Sequence, residues 1–162
     1  MTDDIAIRIA KEEESSSLSN LAFRSKAFWG YSAEFMEACR AELSVSAMDI
    51  ASRVCQYFVA ESRGDVLGYY ALRRLSPEKH ELEALFVDPQ SIGQGVGRKL
   101  IEHAKRYAQT DGARFLLIQG DPNATDFYRA AGAVQVGERE SESIPGRYLP
   151  EFTISLGGKN AA

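Results

Sequence analysis

Leu85-Phe-Val-Asp-Pro-Gln-Ser-Ile-Gly-Gln-Gly-Val-Gly-Arg-Lys-Leu100 is the stretch on which the reading of this chain turns. An apolar strand end runs through Asp88-Pro89 into a turn holding Gly93, Gly95 and Gly97, and the turn opens a helix. Val96, Leu100, Ile101, Ala104, Tyr107 and Ala108 recur on one helical face, so the helix is predicted to reach about Thr110, with Gly112 closing it. Such a strand, turn and helix start aim free backbone N–H groups and the positive helix end at one point. Glycine lets an anion approach that backbone closely, so a phosphate or pyrophosphate is the natural guest. Arg98, Lys99, Lys105 and Arg106 against Glu102 make this helix basic. A turn that only connects strand to helix would not need that charge. Two common phosphate loops do not fit. The dinucleotide fingerprint GxGxxG has its third glycine one place too early here, and a P-loop would need Gly-Lys-Ser/Thr where Gly97-Arg98-Lys99-Leu100 stands.

Outward from this stretch the chain alternates strands and helices. Ile5–Ile9 reads as a first strand, and Lys11 to about Lys26 as a helix carrying Leu18, Leu21 and Ala22 inward, with Phe28 at the end of that face. Phe28-Trp-Gly-Tyr31 breaks it, and Ser32 is the expected N-cap of a second helix to about Leu43. Val54–Ser62 and Val66–Leu75 form a hairpin with Gly64-Asp65 as its turn signal, and His80–Val87 follows as a strand. Phe115–Ile118 is a short, wholly apolar strand of the kind buried on both faces. A helix from about Thr125 to Ala131 precedes two closing strands, Val134–Glu140 and Tyr148–Leu156, and a frayed tail from Gly157. The order β-α-α-β-β-β-α-β-α-β-β predicts an α/β fold with a mixed sheet, as one domain over 1–162.

Composition narrows the class. The chain has 162 residues, 44% hydrophobic and 26% charged, with a net charge of −4. This is a globular profile, and the acidic balance argues against a nucleic-acid partner. Residues 1–60 hold six Lys/Arg against nine Asp/Glu, a hint of a cationic substrate. Two cysteines, Cys39 and Cys55, and two histidines, His80 and His103, exclude a structural zinc site, and no metal is expected. No apolar run is long enough for a membrane span and no secretion signal opens the chain, so a cytoplasmic location with free thiols is expected.

Together with the element order, the Val87-Asp88-Pro89 strand end and the glycine turn, the run Asn123-Ala-Thr-Asp-Phe-Tyr-Arg-Ala-Ala-Gly132 resembles the GCN5-related N-acetyltransferase (GNAT) superfamily. The resemblance covers nearly the whole chain. It departs from the family pattern where Ile92 replaces the usual Gln or Arg, where Ala124 comes early, and where Ala133 replaces a phenylalanine. It implies a mostly antiparallel sheet with two splayed central strands flanked by helices, and acetyl-CoA bound between those strands. Phe86 and Val87 would then pair with the pantetheine arm, and Gly93, Gln94, Gly95, Val96, Gly97 and Arg98 would hold the pyrophosphate. Asn123 would contact the arm near the thioester. A homodimer is expected from this resemblance alone.

The same resemblance makes Tyr128 the match to a thiolate-protonating tyrosine, against packing beside Phe127. Glu81 stands where many family members carry a glutamate base. Glu83 shares its strand parity, and both could instead form salt bridges to Arg73 or Arg74. Trp29 and Tyr31 lie where the acceptor pocket is shaped, and the Ser143–Arg147 loop could cover it. The histidines are expected to be chemically idle, and the cysteines lie outside the motifs, which gives an acetyl-cysteine route no support. The expected activity is direct transfer from acetyl-CoA to a primary amine of a small molecule or peptide. A non-catalytic acyl-CoA-binding module and an interaction domain with an empty loop are the rivals.

Overall fold

The computed structural model describes residues 4–157; the expected fraying beyond Gly157 lies outside the described residues. Strands β1 (Ala6–Ile9), β2 (Cys55–Ser62), β3 (Asp65–Ser76), β4 (Lys79–Val87), β5 (Phe115–Gln119), β6 (Val134–Glu140) and β7 (Tyr148–Ser155) form one sheet in the order β1-β2-β3-β4-β5-β7-β6. Only β4 and β5 run parallel; every other neighbouring pair is antiparallel. Five helices flank the sheet: α1 (Ser15–Ala27), α2 (Ala33–Leu43), α3 (Ala47–Ala51), α4 (Val96–Thr110) and α5 (Thr125–Ala130).

Two apolar layers hold the helices to the sheet. Val96, Leu100, Ile101, Ala104 and Ala108 of α4 pack on Tyr70, Leu72, Leu82, Leu116 and Ile118, which are all buried. On the opposite face Leu18, Leu21 and Ala22 of α1 and Met36, Cys39 and Leu43 of α2 cover Val59 and Tyr69. Full burial of each large aliphatic side chain contributes about 1.5–3 kcal/mol, so these stripes dominate the helix–sheet attachment. Ser32 caps α2, its hydroxyl accepting from Phe35 N at 3.1 Å. Helix α3 was not anticipated. Its signal is a capping box, in which Ser46 Oγ accepts from Asp49 N and the Asp49 carboxylate accepts from Ser46 N.

Local geometry departs from the sequence reading at three places. Phe28 is not inward; it ends α1 and is 56% exposed. Phe115 and Leu117 keep solvent access, so β5 is buried on one face only, the face of Leu116 and Ile118. The β2–β3 turn is centred on Arg63-Gly64, one residue earlier than expected, since Ser62 pairs with Asp65. Both central residues have positive φ, 54° at Arg63 and 86° at Gly64, as the twist of a two-residue hairpin requires.

The feature that makes the site is in β4. Ala84 pairs with Ala71 and Leu82 with Leu72, so Glu83 is an extra residue, a β-bulge. Beyond it the strand changes parity, and Ala84 and Phe86 pack toward α1 and α2 while Leu85 and Val87 pack toward α4. The parallel ladder to β5 also ends here, at Leu82–Ile118. From Glu83 to Val87 the edge of β4 that faced β5 has no strand partner, and the sheet opens as a V.

The left-handed conformation at Arg63 costs a non-glycine residue about 1 kcal/mol, and asparagine tolerates it best. The ion pair from Arg63 to Asp4 at 3.0 Å is exposed and contributes little. Arg63→Asn is therefore expected to stabilise the protein by roughly 0.5–1 kcal/mol, seen as a higher urea midpoint at unchanged slope.

Candidate active site

A cleft of about 820 Å³ passes through the V. At one end it is walled by Ser91, Gly93, Gly95, Val96, Gly97 and Arg98. Gly93 and Gly95 have φ of 88° and 82°, a conformation in which an L side chain is strained. Gly97 serves a different need: a Cβ there would lie 3.1 Å from Cε1 of Phe127 and press on that ring, so glycine lets α4 and α5 pack closely here. Helix α4 starts at Gly95 with no side-chain cap and no acidic residue in its first turn. Its free N–H groups, its dipole and Arg98 therefore suit an anion, and the residues present fit a pyrophosphate. Ile92 is 52% exposed on the rim, and Gln94 does not line the cleft.

The middle of the cleft is bounded by Phe86 and Val87 on the bare edge of β4, and across from them by Gln119, Asn123, Ala124, Phe127 and Tyr128. An extended ligand carrying amides could complete the hydrogen bonding of that edge, as an added strand does. Tyr128 is 6% exposed, its ring held against Gly120 and near Phe152. Burial and the charge of Asp121 push its phenol well above the usual range, so it stays neutral and keeps its proton. Its hydroxyl has no hydrogen-bond partner among the described residues.

The far end is carboxylate-rich. Glu42, Glu81, Glu83 and Glu142 line it from α2, β4 and the β6–β7 loop, with Arg73 and Arg139 between them. Glu81 is held by Arg139, whose Nη2 donates at 3.1 Å while its Nε donates to Glu151 at 2.6 Å. Glu83 has only a distant cation, Arg73 at 3.8 Å. Burial and the neighbouring charges of Glu81 and Glu142 raise its carboxyl above the ordinary range.

The two aromatic candidates separate. Trp29 lines the cleft and is 45% exposed, edge-on to Phe28. Tyr31 does not line it. Its O–H donates to Asp121 at 2.9 Å, and its oxygen accepts from Arg147 Nη2 at 2.8 Å and from Asn123 Nδ2 at 3.0 Å. One donor and two acceptor positions are all a hydroxyl has, so none remains for a substrate. Burial and Asp121 push this phenol to about 12. Lys26 completes the cluster, donating to Asp121 at 3.1 Å with its side chain only 10% exposed. Lys26, Asp121 and Arg139 were not foreseen as site residues. For Lys26 a signal existed, because it continues the buried spacing of Leu18 and Ala22 at four-residue steps. The Ser143–Arg147 loop is drawn in by Arg147 and by a hydrogen bond from Ser143 to Glu42. Neither cysteine lines the cleft; His103 shares a 2.8 Å hydrogen bond with Tyr70, and His80 one of 2.9 Å with Asp111.

The sheet is thus mixed and, among the described residues, split between its one parallel pair of strands, with the uncapped start of α4 at one end of the split. The chain matches the acetyltransferase (GNAT) family over residues 21–133 and belongs to it. It is similar to the N-alpha-acetyltransferase RimI of Mycobacterium tuberculosis, 33% identical over 95 residues, which are 56% of this chain and 60% of that protein. It is also similar to the peptidyl-lysine N-acetyltransferase YjaB of Salmonella typhimurium, 27% identical over 66% of this chain and 69% of that one. The match thus spans about three fifths of the RimI relative's length. The PaiA N-acetyltransferase of Thermoplasma acidophilum, solved in complex with coenzyme A, has the same fold, with a TM-score of 0.78 at 18% identity over 93% of this chain and 98% of that one. No helix among the described residues is long and apolar enough to cross a membrane.

A carboxyl raised in the folded state adds stability at low pH that is lost as pH rises through its folded pKa. At neutral pH the charge on Glu83 therefore opposes folding. Glu83→Gln is expected to raise the thermal midpoint at pH 7, and the gain should vanish near pH 4, which thermal unfolding at the two pH values checks.

Proposed function

We propose that this protein is an N-acetyltransferase that moves the acetyl group of acetyl-CoA directly to a primary amine within a ternary complex. The observation that carries the reading is one continuous cleft through the V, joining the uncapped start of α4 to the unpartnered hydroxyl of Tyr128 and then to the carboxylates of β4. When bound, acetyl-CoA supplies an activated acyl carbon whose transfer to nitrogen releases a thiolate. The first turn of α4 and Arg98 hold the pyrophosphate, while Phe86 and Val87 offer their free strand edge to the pantetheine arm. Tyr128, neutral because it is buried, gives its proton to the departing sulfur.

The amine must lose a proton before it attacks. Glu81 and Glu83 both face the acceptor end, and the surroundings favour Glu83 as the base. Glu81 is committed to Arg139, whereas the raised carboxyl of Glu83 holds a proton more readily. Glu42, Glu83 and Glu142 favour a cationic acceptor. The names of two relatives, an N-alpha-acetyltransferase and a peptidyl-lysine N-acetyltransferase, favour a peptide amine over a small-molecule amine. Direct transfer is supported by the placement of Cys39 and Cys55 away from the cleft.

Calorimetry should detect CoA binding, and thiol release should follow turnover with an amine panel. Tyr128→Phe removes a hydroxyl that bonds nothing in the protein, so the fold should be kept while kcat falls about 100-fold with little change in KM. Glu83→Gln should lower kcat more than Glu81→Gln does. CoA binding without turnover on any amine would instead select the non-catalytic acyl-CoA module, and no CoA binding would end the reading.

A further inference from the structure

We propose that Asp121 is a positioning residue: it locks the side-chain amide of Asn123 so that the carbonyl, not the NH2, faces the cleft and accepts a hydrogen bond from an amide N–H of the CoA arm. The inference rests on the acetyl-CoA reading above and adds to it a residue and a direction.

Hydrogen-bond accounting carries the argument. The carboxylate of Asp121 can only accept. Its Oδ1 accepts from the backbone N–H of Asn123 at 2.9 Å and from Asn123 Nδ2 at 2.9 Å. The second proton of that amide nitrogen goes to Tyr31 Oη at 3.0 Å, and the Tyr31 O–H is itself directed at Asp121. Turning the amide over would set two acceptors, Asn123 Oδ1 and Asp121 Oδ1, against each other with no proton between them. It would also strip Tyr31 of a donor. Both protons of Nδ2 are therefore spent inside the protein, and Asn123 Oδ1 is the one group of this side chain left for a ligand.

Lys26 and Arg147 keep the lock charged. Lys26 donates to Asp121, Arg147 lies 3.7 Å from it, and both cations are largely buried. Against the cost of its burial, the backbone N–H of Asn123, the charge of Lys26 and the Tyr31 hydroxyl hold the acid below its usual range. Asn123 lines the cleft in the turn just after β5, across from the bare edge of β4 at Phe86 and Val87. An amide chain lying along that edge presents N–H groups to both sides. Those turned away from β4 meet Asn123.

The test compares two probes by calorimetry: CoA, and adenosine 3′,5′-bisphosphate, which keeps the phosphorylated adenosine of CoA and the first of its two pyrophosphate phosphates but no pantetheine. Asp121→Asn frees the amide of Asn123 to turn over. It should weaken CoA about tenfold, about 1.4 kcal/mol, and leave the bisphosphate within twofold. The exchange Asp121→Asn with Asn123→Asp restores an acceptor facing the cleft and should recover most of the CoA affinity. Equal weakening of both probes would mean a general electrostatic or folding role, and unchanged CoA affinity would mean that no arm N–H meets Asn123; either result overturns the proposal. Should Asp121→Asn not fold, Tyr31→Phe loosens the same lock without touching a charge, and the same comparison decides. A wild-type protein that takes neither probe would instead end the acetyl-CoA reading itself.

Discussion

The end of one β-ladder governs this molecule. Between β4 and β5 the parallel pairing stops at Leu82–Ile118 because Glu83 is an extra residue that puts β4 out of step. Backbone groups away from water must be paired, and a strand edge left bare inside a protein is tolerable only where solvent or a ligand reaches it. The cleft follows from that constraint. So does the switch in packing, by which alternate residues of the same strand face α4 before the bulge and α1 and α2 after it. With that ladder ended beside the bulge, the bare edge of β4 from Glu83 to Val87 becomes one wall of the cleft that leads to the glycine turn of α4.

Charge then divides the opened space. The start of α4 carries basic residues and no acid in its first turn, while Glu42, Glu81, Glu83 and Glu142 line the other end of the cleft. The two ends are unlike in charge, so the cleft suits a ligand with an anionic tail in one orientation and a cationic group at the other end. Tyr128 sits between them in apolar surroundings, which keep its proton in place; an exposed phenol would lack that bias.

Much of this was legible in the sequence, and the reasons for the remainder are physical. Helix α4 and its glycines were readable because period and turn chemistry are local. Seven strands and their succession along the chain followed from alternation and breakers, whereas their order in the sheet did not. The bulge was not readable: Glu81 and Glu83 share parity in an ideal strand, and only the partner register of β3 reveals the inserted residue. Tyr31 was read as a substrate contact because the family resemblance places it where the acceptor pocket is shaped. Its saturation depends on Asp121 and Arg147, distant in the chain and near only in the fold. The ion pair from Arg139 to Glu81 is invisible for the same reason. Lys26 was readable and missed, since a lysine on the buried spacing of an amphipathic helix asks for a partner.

The Asp121 cluster also shows why polar groups are kept where apolar ones would serve stability as well. A buried charge set of this kind often adds little net stability, since desolvation offsets attraction. An apolar plug between α1, the β5–α5 turn and the β6–β7 loop could hold those elements together equally well. It could not, however, distinguish the two ends of an amide. Direction requires a donor opposed to an acceptor, and here each polar group on Tyr31, Asp121 and the NH2 of Asn123 is matched in only one sense. The cluster's charge therefore makes sense as orientation, with the three elements fixed in place as a consequence.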